Sequence, residues 1–508
     1  MESLARPTGQ GLAIERAPPL AAAAPAADAT RMRAWHMAAL AGMIGLAWAT
    51  FTWALLSAHW SYHSTAFDLG FFDQIIWNTS RGRWFQTSFV DYNFLGQHME
   101  PVLLLYAAAY RLVPRVELLL VSQAAVVALA AVPLFLAARR LLASATAAVL
   151  VAAAYLLSSH LHGAVLFDFH PEVMGVAGIF GALALLAAGR PGWALLSLAA
   201  VFLLKEDAAL VALGFAIVFW LFGHRRLAFV LVAASILYLV LVAGIAMPAL
   251  RGGPGDLQER YGYLGADVGE IVAGAVRRPD VVAHHLVGGP QLRATAYLLA
   301  TQAFLPLINP AALGAVPLLA ANLLSTHPAQ HDLTLQYPVL IYAMLFVSGV
   351  LTIRWLAHSP AGSPLRRRLR LTPVSTSVML AAVLLASEAA GWLLGSPLDP
   401  RRFDAERYQR TAHHVAVDRV LADVPAEVPV SAQSGLLPHL SQRRDIWEFP
   451  RLENAEFVVV DRTTWRSSQS HEAGYDRVLD ALPSLGFCVL MHEDSVTLYA
   501  RGPRCASR

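Results

Sequence analysis

Between residues 34 and 394 apolar runs follow one another, most with short polar breaks and two with long ones, and this alone removes most folds from consideration. The runs lie at about 34–58, 116–138, 143–158, 173–188, 192–204, 208–223, 227–249, 295–308, 311–325, 337–357 and 373–394, eleven candidate spans. A helix needs about 20 apolar residues to cross the hydrocarbon of a bilayer. The longer runs meet that length. Several shorter ones do not and are expected to be tilted or re-entrant. Composition agrees: 56% of residues are hydrophobic and 14% charged, against about 25% charged in soluble domains. A soluble enzyme, a coiled coil, collagen and a disordered chain are all excluded. What remains is an all-α polytopic membrane domain.

The ends of the chain read differently. Residues 1–33 are rich in Ala, Pro and Gly without apolar periodicity, which predicts a disordered cytoplasmic tail lacking the apolar core of a cleavable signal. From about 398 charge rises, and β-rich runs such as Phe457–Val460 and Phe487–Met491 alternate with helical ones such as 405–422. Residues 398–508 therefore read as a small extracytoplasmic α/β domain, and 34–397 as the membrane domain. The two cysteines, Cys488 and Cys505, fall in this last part. A disulfide between them is feasible there, and the spacing leaves the pairing open.

Charge sets the expected orientation. With the N-terminus inside, Arg139, Arg140, Arg190, Arg225, Arg226, Arg366, Arg367, Arg368 and Arg370 occupy the short cytoplasmic loops, as the positive-inside bias requires. The plasma membrane is the expected location. The acids gather on the opposite side, in an outer loop at 59–115, the next short outer loops and a further one at 250–294. A net charge of +3 gives no argument for a nucleic-acid partner. The bilayer itself is the expected partner, and the oligomeric state is not legible.

Three outer-face clusters carry the candidate chemistry. Phe67-Asp68-Leu69-Gly70-Phe71-Phe72-Asp73-Gln74, followed by Trp77-Asn78, opens the first loop. Asp68 and Asp73 are five apart and do not share a helix face cleanly, so one is expected in a cavity and the other as a cap. A carboxylate beside low-dielectric walls suits a general base. Asp168-Phe169-His170-Pro171-Glu172 puts three potential ligands on one side of an extended segment, a donor set for Mg, Mn or Zn. Lys205-Glu206-Asp207 holds the single lysine of the chain, wedged between two apolar runs, where charge is costly unless paired or facing a polar cavity. Trp77, Asn78, His98, Glu100, His327 and His331 are the expected substrate contacts. No nucleotide-binding loop, nucleophile elbow or HExxH motif is present.

In these motifs the chain resembles domain-of-unknown-function family 2079, predicted prokaryotic membrane proteins. The resemblance rests on Asp68-Leu69-Gly70 with Phe72-Asp73-Gln74 and Trp77-Asn78, on Asn93-Phe94-Leu95-Gly96 with His98, and on Phe167 through Glu172. It continues through Lys205-Glu206-Asp207 to Pro438-His439-Leu440-Ser441 with Arg443-Arg444-Asp445, and covers roughly residues 40–460. Gln336-Tyr337 departs from the His-Tyr pair expected there. The arrangement is in turn similar to the GT-C class of membrane glycosyltransferases, which implies a polyprenyl-phosphate-linked sugar as donor. By that analogy Asp68 matches the first-loop acid, and Asp168 with His170 the second-loop motif. Asp68, Asp73, Lys205, Glu206 and Asp207 are then the expected catalytic set, with Asp168, His170 and Glu172 as the expected metal ligands. A transporter or flippase using the same charges, with Lys205 and Glu206 as a switching pair, is the rival expectation. A scaffold whose C-terminal domain binds a partner is the third.

Overall fold

The structure, a computed structural model, describes residues 32–253, 256–463, 472–502 and 505. The expected disordered tail lies, up to residue 31, outside the described residues. Most apolar runs become helices at the expected places. Among the described residues five helices are long and apolar enough to cross a membrane: Ala34–Trp60, Glu117–Leu142, Arg225–Arg251, Val339–His358 and Pro373–Gly395. A sixth arises if Ala145–Leu157 and Ser159–Val165, bent by 49° at Ser158, form one span. The bend follows from Ser158, whose backbone is extended (φ −61°, ψ 130°) and breaks the helical ladder.

The shorter runs give shorter helices, Pro171–Ala187, Pro191–Val201, Ala208–Leu221 and Pro310–Leu323. At 1.5 Å per residue the 11-residue helix is about 16 Å long, well short of a bilayer core. The run at 295–308 is not one helix. Helix Gly289–Ala300 ends, Ala303 and Phe304 take positive φ, and a single tight turn follows at Leu305–Ile308. Pro306 within it has no N–H to continue a helix.

Val339–His358 is the centre of the body: 83% of its most apolar window is buried, against 17% for Arg225–Arg251, which leaves Ile236, Leu237 and Val240 exposed. Such an apolar exterior suits lipid rather than water. Small residues allow the closest helix contacts. A Cβ on Gly214 would lie 1.8 Å from the carbonyl oxygen of Gly314, so helix Ala208–Leu221 and the Pro310–Ala315 turns meet backbone to backbone.

The C-terminal part contains a five-stranded sheet: β1 (Val430–Ala432), β2 (Ile446–Glu448), β3 (Phe457–Asp461), β4 (Phe487–Glu493) and β5 (Val496–Arg501), in the order β2-β1-β3-β5-β4. β1 pairs in parallel with β2 and β3, while β5 runs antiparallel to β3 and β4. The helix expected at 405–422 begins only at Ala412, capped by Thr411. Cys488 and Cys505 form a disulfide that fastens β4 to the chain end. Alternation along β3 divides its side chains between two cores. Val458 and Val460 join Phe449, Tyr475 and Leu482 in a small separate cluster, whereas Phe457 and Val459 join the main core of the helical body. The sheet is therefore built onto the body.

Candidate functional site

Segments 61–70, 165–174 and 202–207, far apart in sequence, meet at one end of the helical body. The first turn is held against the sheet domain by a close approach. A Cβ on Gly70 would come within 2.6 Å of the Leu437 side chain, which would have to shift to admit it. Gln123, a lone amide in an otherwise apolar helix, shapes the second. Its Nε2 donates to the carbonyls of Val165 and Asp168, at 3.0 and 2.8 Å, and its Oε1 accepts the N–H of His170 at 2.7 Å. This clamp holds Asp168 at φ +46°, a left-handed conformation that Asp tolerates better than most residues.

The two turns then lock together. The Thr65 N–H donates to Asp168 Oδ2 at 2.7 Å, and the Thr65 hydroxyl lies 2.9 Å from the same oxygen and 2.6 Å from Asp68 Oδ2. One hydroxyl has one proton, so it serves one carboxylate at a time. The two acids differ in access: the Asp68 side chain is 23% exposed, while Asp168 is buried. They also differ in charge preference. Burial and the neighbouring Asp68 charge push the Asp168 carboxyl up to about 6. Burial would raise Asp68 as well, but the hydrogen bond and charge of His170 outweigh it and hold Asp68 below the usual carboxylate range. His170 Nδ1 faces the Phe167 carbonyl at 2.8 Å, and Nε2 faces Asp68 Oδ1 at 3.1 Å. With an acceptor at each nitrogen the ring donates from both, as an imidazolium. Burial opposes this charge, and Asp68 overcomes it and raises the His170 pKa.

Next to this pair lies a group of carboxylates around the lysine. Lys205 Nζ meets Glu172 Oε1 at 2.8 Å. Glu206 accepts from His98 Nδ1 and the Met99 N–H, each at 3.0 Å. Glu100 is buried, and neither of its oxygens has a hydrogen-bond partner among the described residues; the same holds for Asp207 Oδ1. Burial, then the charges of Glu172, Glu206 and Asp207, raise the Glu100 pKa, so that it holds a proton where Asp68 does not.

Several expected residues are elsewhere. Asp73, expected in the catalytic group, is fully buried and accepts from the Tyr110 hydroxyl at 2.7 Å, the Ser441 hydroxyl at 2.6 Å and Gln442 Nε2 at 3.1 Å. It joins the first loop to the sheet domain. Trp77 is buried under the guanidinium groups of Arg81 and Arg83, and Asn78 bonds Arg83 and the Gln86 carbonyl. His327 packs against Tyr337, and His331 pairs with Asp332 at 2.9 Å. The expected metal ligands turn to three different partners: Asp168 to Thr65, His170 to Asp68, and Glu172 to Lys205. Among the described residues no group of three His, Cys, Asp or Glu side chains is placed to hold a metal ion. The donor set does not fit one. Thr65 and Gln123, which build the site, were missed by sequence reasoning. An amide alone in an apolar helix was the available signal for Gln123.

A body of apolar helices, a small sheet domain at its end and a buried polar cluster where they meet define a helical membrane protein. The chain belongs to the DUF2079 family of predicted membrane proteins, whose model matches residues 58–481. No curated protein matches it in sequence. Among solved structures it is similar to ArnT from Cupriavidus metallidurans in the apo state, at 14% identity over 92% of this chain and 99% of that one, with a TM-score of 0.49. The same enzyme bound to undecaprenyl phosphate gives the same identity and coverage, with a TM-score of 0.48. An Archaeoglobus fulgidus oligosaccharyltransferase in its apo form gives 13% identity over 84% and 69% of the two chains, with a TM-score of 0.41. Likenesses of this size assign no activity.

Proposed function

We propose that this protein is a membrane glycosyltransferase that uses a polyprenyl-phosphate-linked sugar at the outer face of the plasma membrane. The observation that carries the reading is Asp68: a partly exposed carboxylate held below the usual carboxylate range, with the cations of His170 and Lys205 beside it. Asp68 takes the proton of the acceptor hydroxyl as that oxygen forms its bond to the anomeric carbon. The bond from that carbon to the phosphate oxygen breaks, and the polyprenyl phosphate leaves with the electron pair. His170 and Lys205 offset the charge that develops on it. The apolar helices flanking the cluster suit a lipid-tailed donor. No step is assigned to a metal.

The orientation belongs to the same proposal, with the N-terminus inside and the sheet domain outside. The Cys488–Cys505 disulfide supports it, because such bonds persist in oxidising compartments. The arginine-rich loops at 139–140, 190, 225–226 and 366–370 support it independently.

The test is turnover of labelled polyprenyl-phosphate sugars by purified protein. Transfer is expected from the wild type and should fall about 10²–10⁴-fold in Asp68→Asn. Wild-type turnover that Asp68→Asn leaves intact removes Asp68 from its role. Substrate movement without a chemical product, from protein in sealed vesicles, replaces the enzyme with a transporter.

A further inference from the structure

A cleft of about 620 Å³ opens between residues 86–93 of the first loop and the edge of the sheet domain at Trp447 and 451–454. None of its lining residues belongs to the cluster around Asp68. Its charges are largely spent on one another. Arg451 donates to Glu453 at 2.9 Å, to the Phe89 carbonyl at 3.3 Å and to Asp91 at 3.4 Å. Two carboxylates against one guanidinium leave the lining slightly negative, which disfavours a phosphate or any other anion.

What the cleft offers instead is neutral and polar. The side-chain amides of Gln86 and Asn454 are exposed and engage no partner among the described residues, and each carries donors and an acceptor. Trp447 is almost wholly buried yet belongs to neither apolar cluster of the protein, although its neighbour Ile446 is in the main core. The small part of the indole that reaches the cleft, with free amides beside it, suits a ligand that offers hydroxyl edges and a limited apolar surface.

The cleft also touches the catalytic turn. Ser88 and Val90 line it, while Phe89 between them turns inward, its ring 5.3 Å from that of Phe67 and 5.1 Å from that of Phe71. Phe67 adjoins Asp68. A ligand seated in the cleft therefore rests on a wall one aromatic contact away from the reactive carboxylate.

We infer that this cleft binds an uncharged saccharide. Its role as the glycosyl acceptor rests on the function proposed above; its binding does not. The experiment is saturation-transfer NMR and calorimetry on the full chain in nanodiscs, with maltotriose, mannotriose and chitotriose as probes and inorganic phosphate as the anionic control. At least one trisaccharide should bind, phosphate should neither bind nor compete, and Trp447→Ala should weaken binding about tenfold or more. Asn454→Ala, at an exposed position that leaves the core intact, should weaken it in the same direction, so a misfolded tryptophan variant does not decide the matter. Failure of all three trisaccharides to bind, competition by phosphate, or unchanged affinity in Asn454→Ala overturns the inference. Saccharide binding without any glycosyl transfer leaves the cleft standing and removes the proposed activity, so the two failures are distinguishable.

Discussion

Asp68 and Asp73 are the same residue type in the same short motif, and the structure gives them opposite surroundings. Asp68 stands partly open to solvent with an imidazolium against one oxygen, and its pKa is held below the usual range. Asp73 is sealed between the first loop and the sheet domain by three neutral donors, and burial pushes it up to about 6 despite them. Access to water and the charge of the nearest partner, rather than the residue or its sequence context, separate a reactive carboxylate from a structural joint.

The contrast can be broken most directly at Asp68. Asp68→Asn should cost about 10²–10⁴ in turnover at matched folded protein. Asp73→Asn, with a rate loss of similar size at matched folded protein, would erase the distinction. A smaller effect is expected from His170→Gln. Removing the imidazolium lets the Asp68 pKa rise, so the acidic limb of the pH–rate profile should move to higher pH. An unmoved limb would mean that His170 does not set the ionisation of Asp68.

The Asp73 side of the comparison is read through stability. Its folded pKa, about 6, lies above the ordinary aspartate value, so the folded state binds the proton more tightly. The stabilisation that protonation brings is complete below about pH 4 and lost as pH rises through about 6. Relative to Asp73→Asn, which cannot titrate, the wild type should gain about 2 kcal/mol between pH 7 and pH 4. Thermal midpoints of the two proteins over that range check the sign. A difference that stays flat would contradict a buried, proton-biased Asp73. The smallest effect is expected from Tyr110→Phe, which removes one donor to Asp73 and should cost about 1–3 kcal/mol without changing turnover; denaturant midpoints and rates measured side by side would show either departure.

The sequence and the structure agree where the cause is local. Most helix positions followed the apolar runs, and strands β3 and β4 lay where the β-rich runs Phe457–Val460 and Phe487–Met491 placed them. The 295–308 run misled because hydropathy does not register a backbone that turns at Ala303 and Phe304. Asp168, His170 and Glu172 looked like one ligand set because they lie within five residues, yet each is claimed by a different partner: Thr65 and Asp68 of the first-loop turn, and Lys205. Glu100 gave no sign of being buried without a partner, since nothing within a few residues encloses it.

By itself the sequence determined that this chain lives in a membrane, where most of its long apolar helices lie, and which loops hold its ionisable groups. Those properties follow from the hydropathy and length of contiguous segments, which need no knowledge of distant residues. Only the tertiary structure decided which acid is open and which is sealed, that Gln123 shapes the Asp168 turn, and that one face of the sheet completes the core of the helical body. Each of these depends on contacts between segments tens to hundreds of residues apart, such as Asp73 with Ser441 and Asp68 with His170. A carboxylate's proton affinity is set by what surrounds it in space.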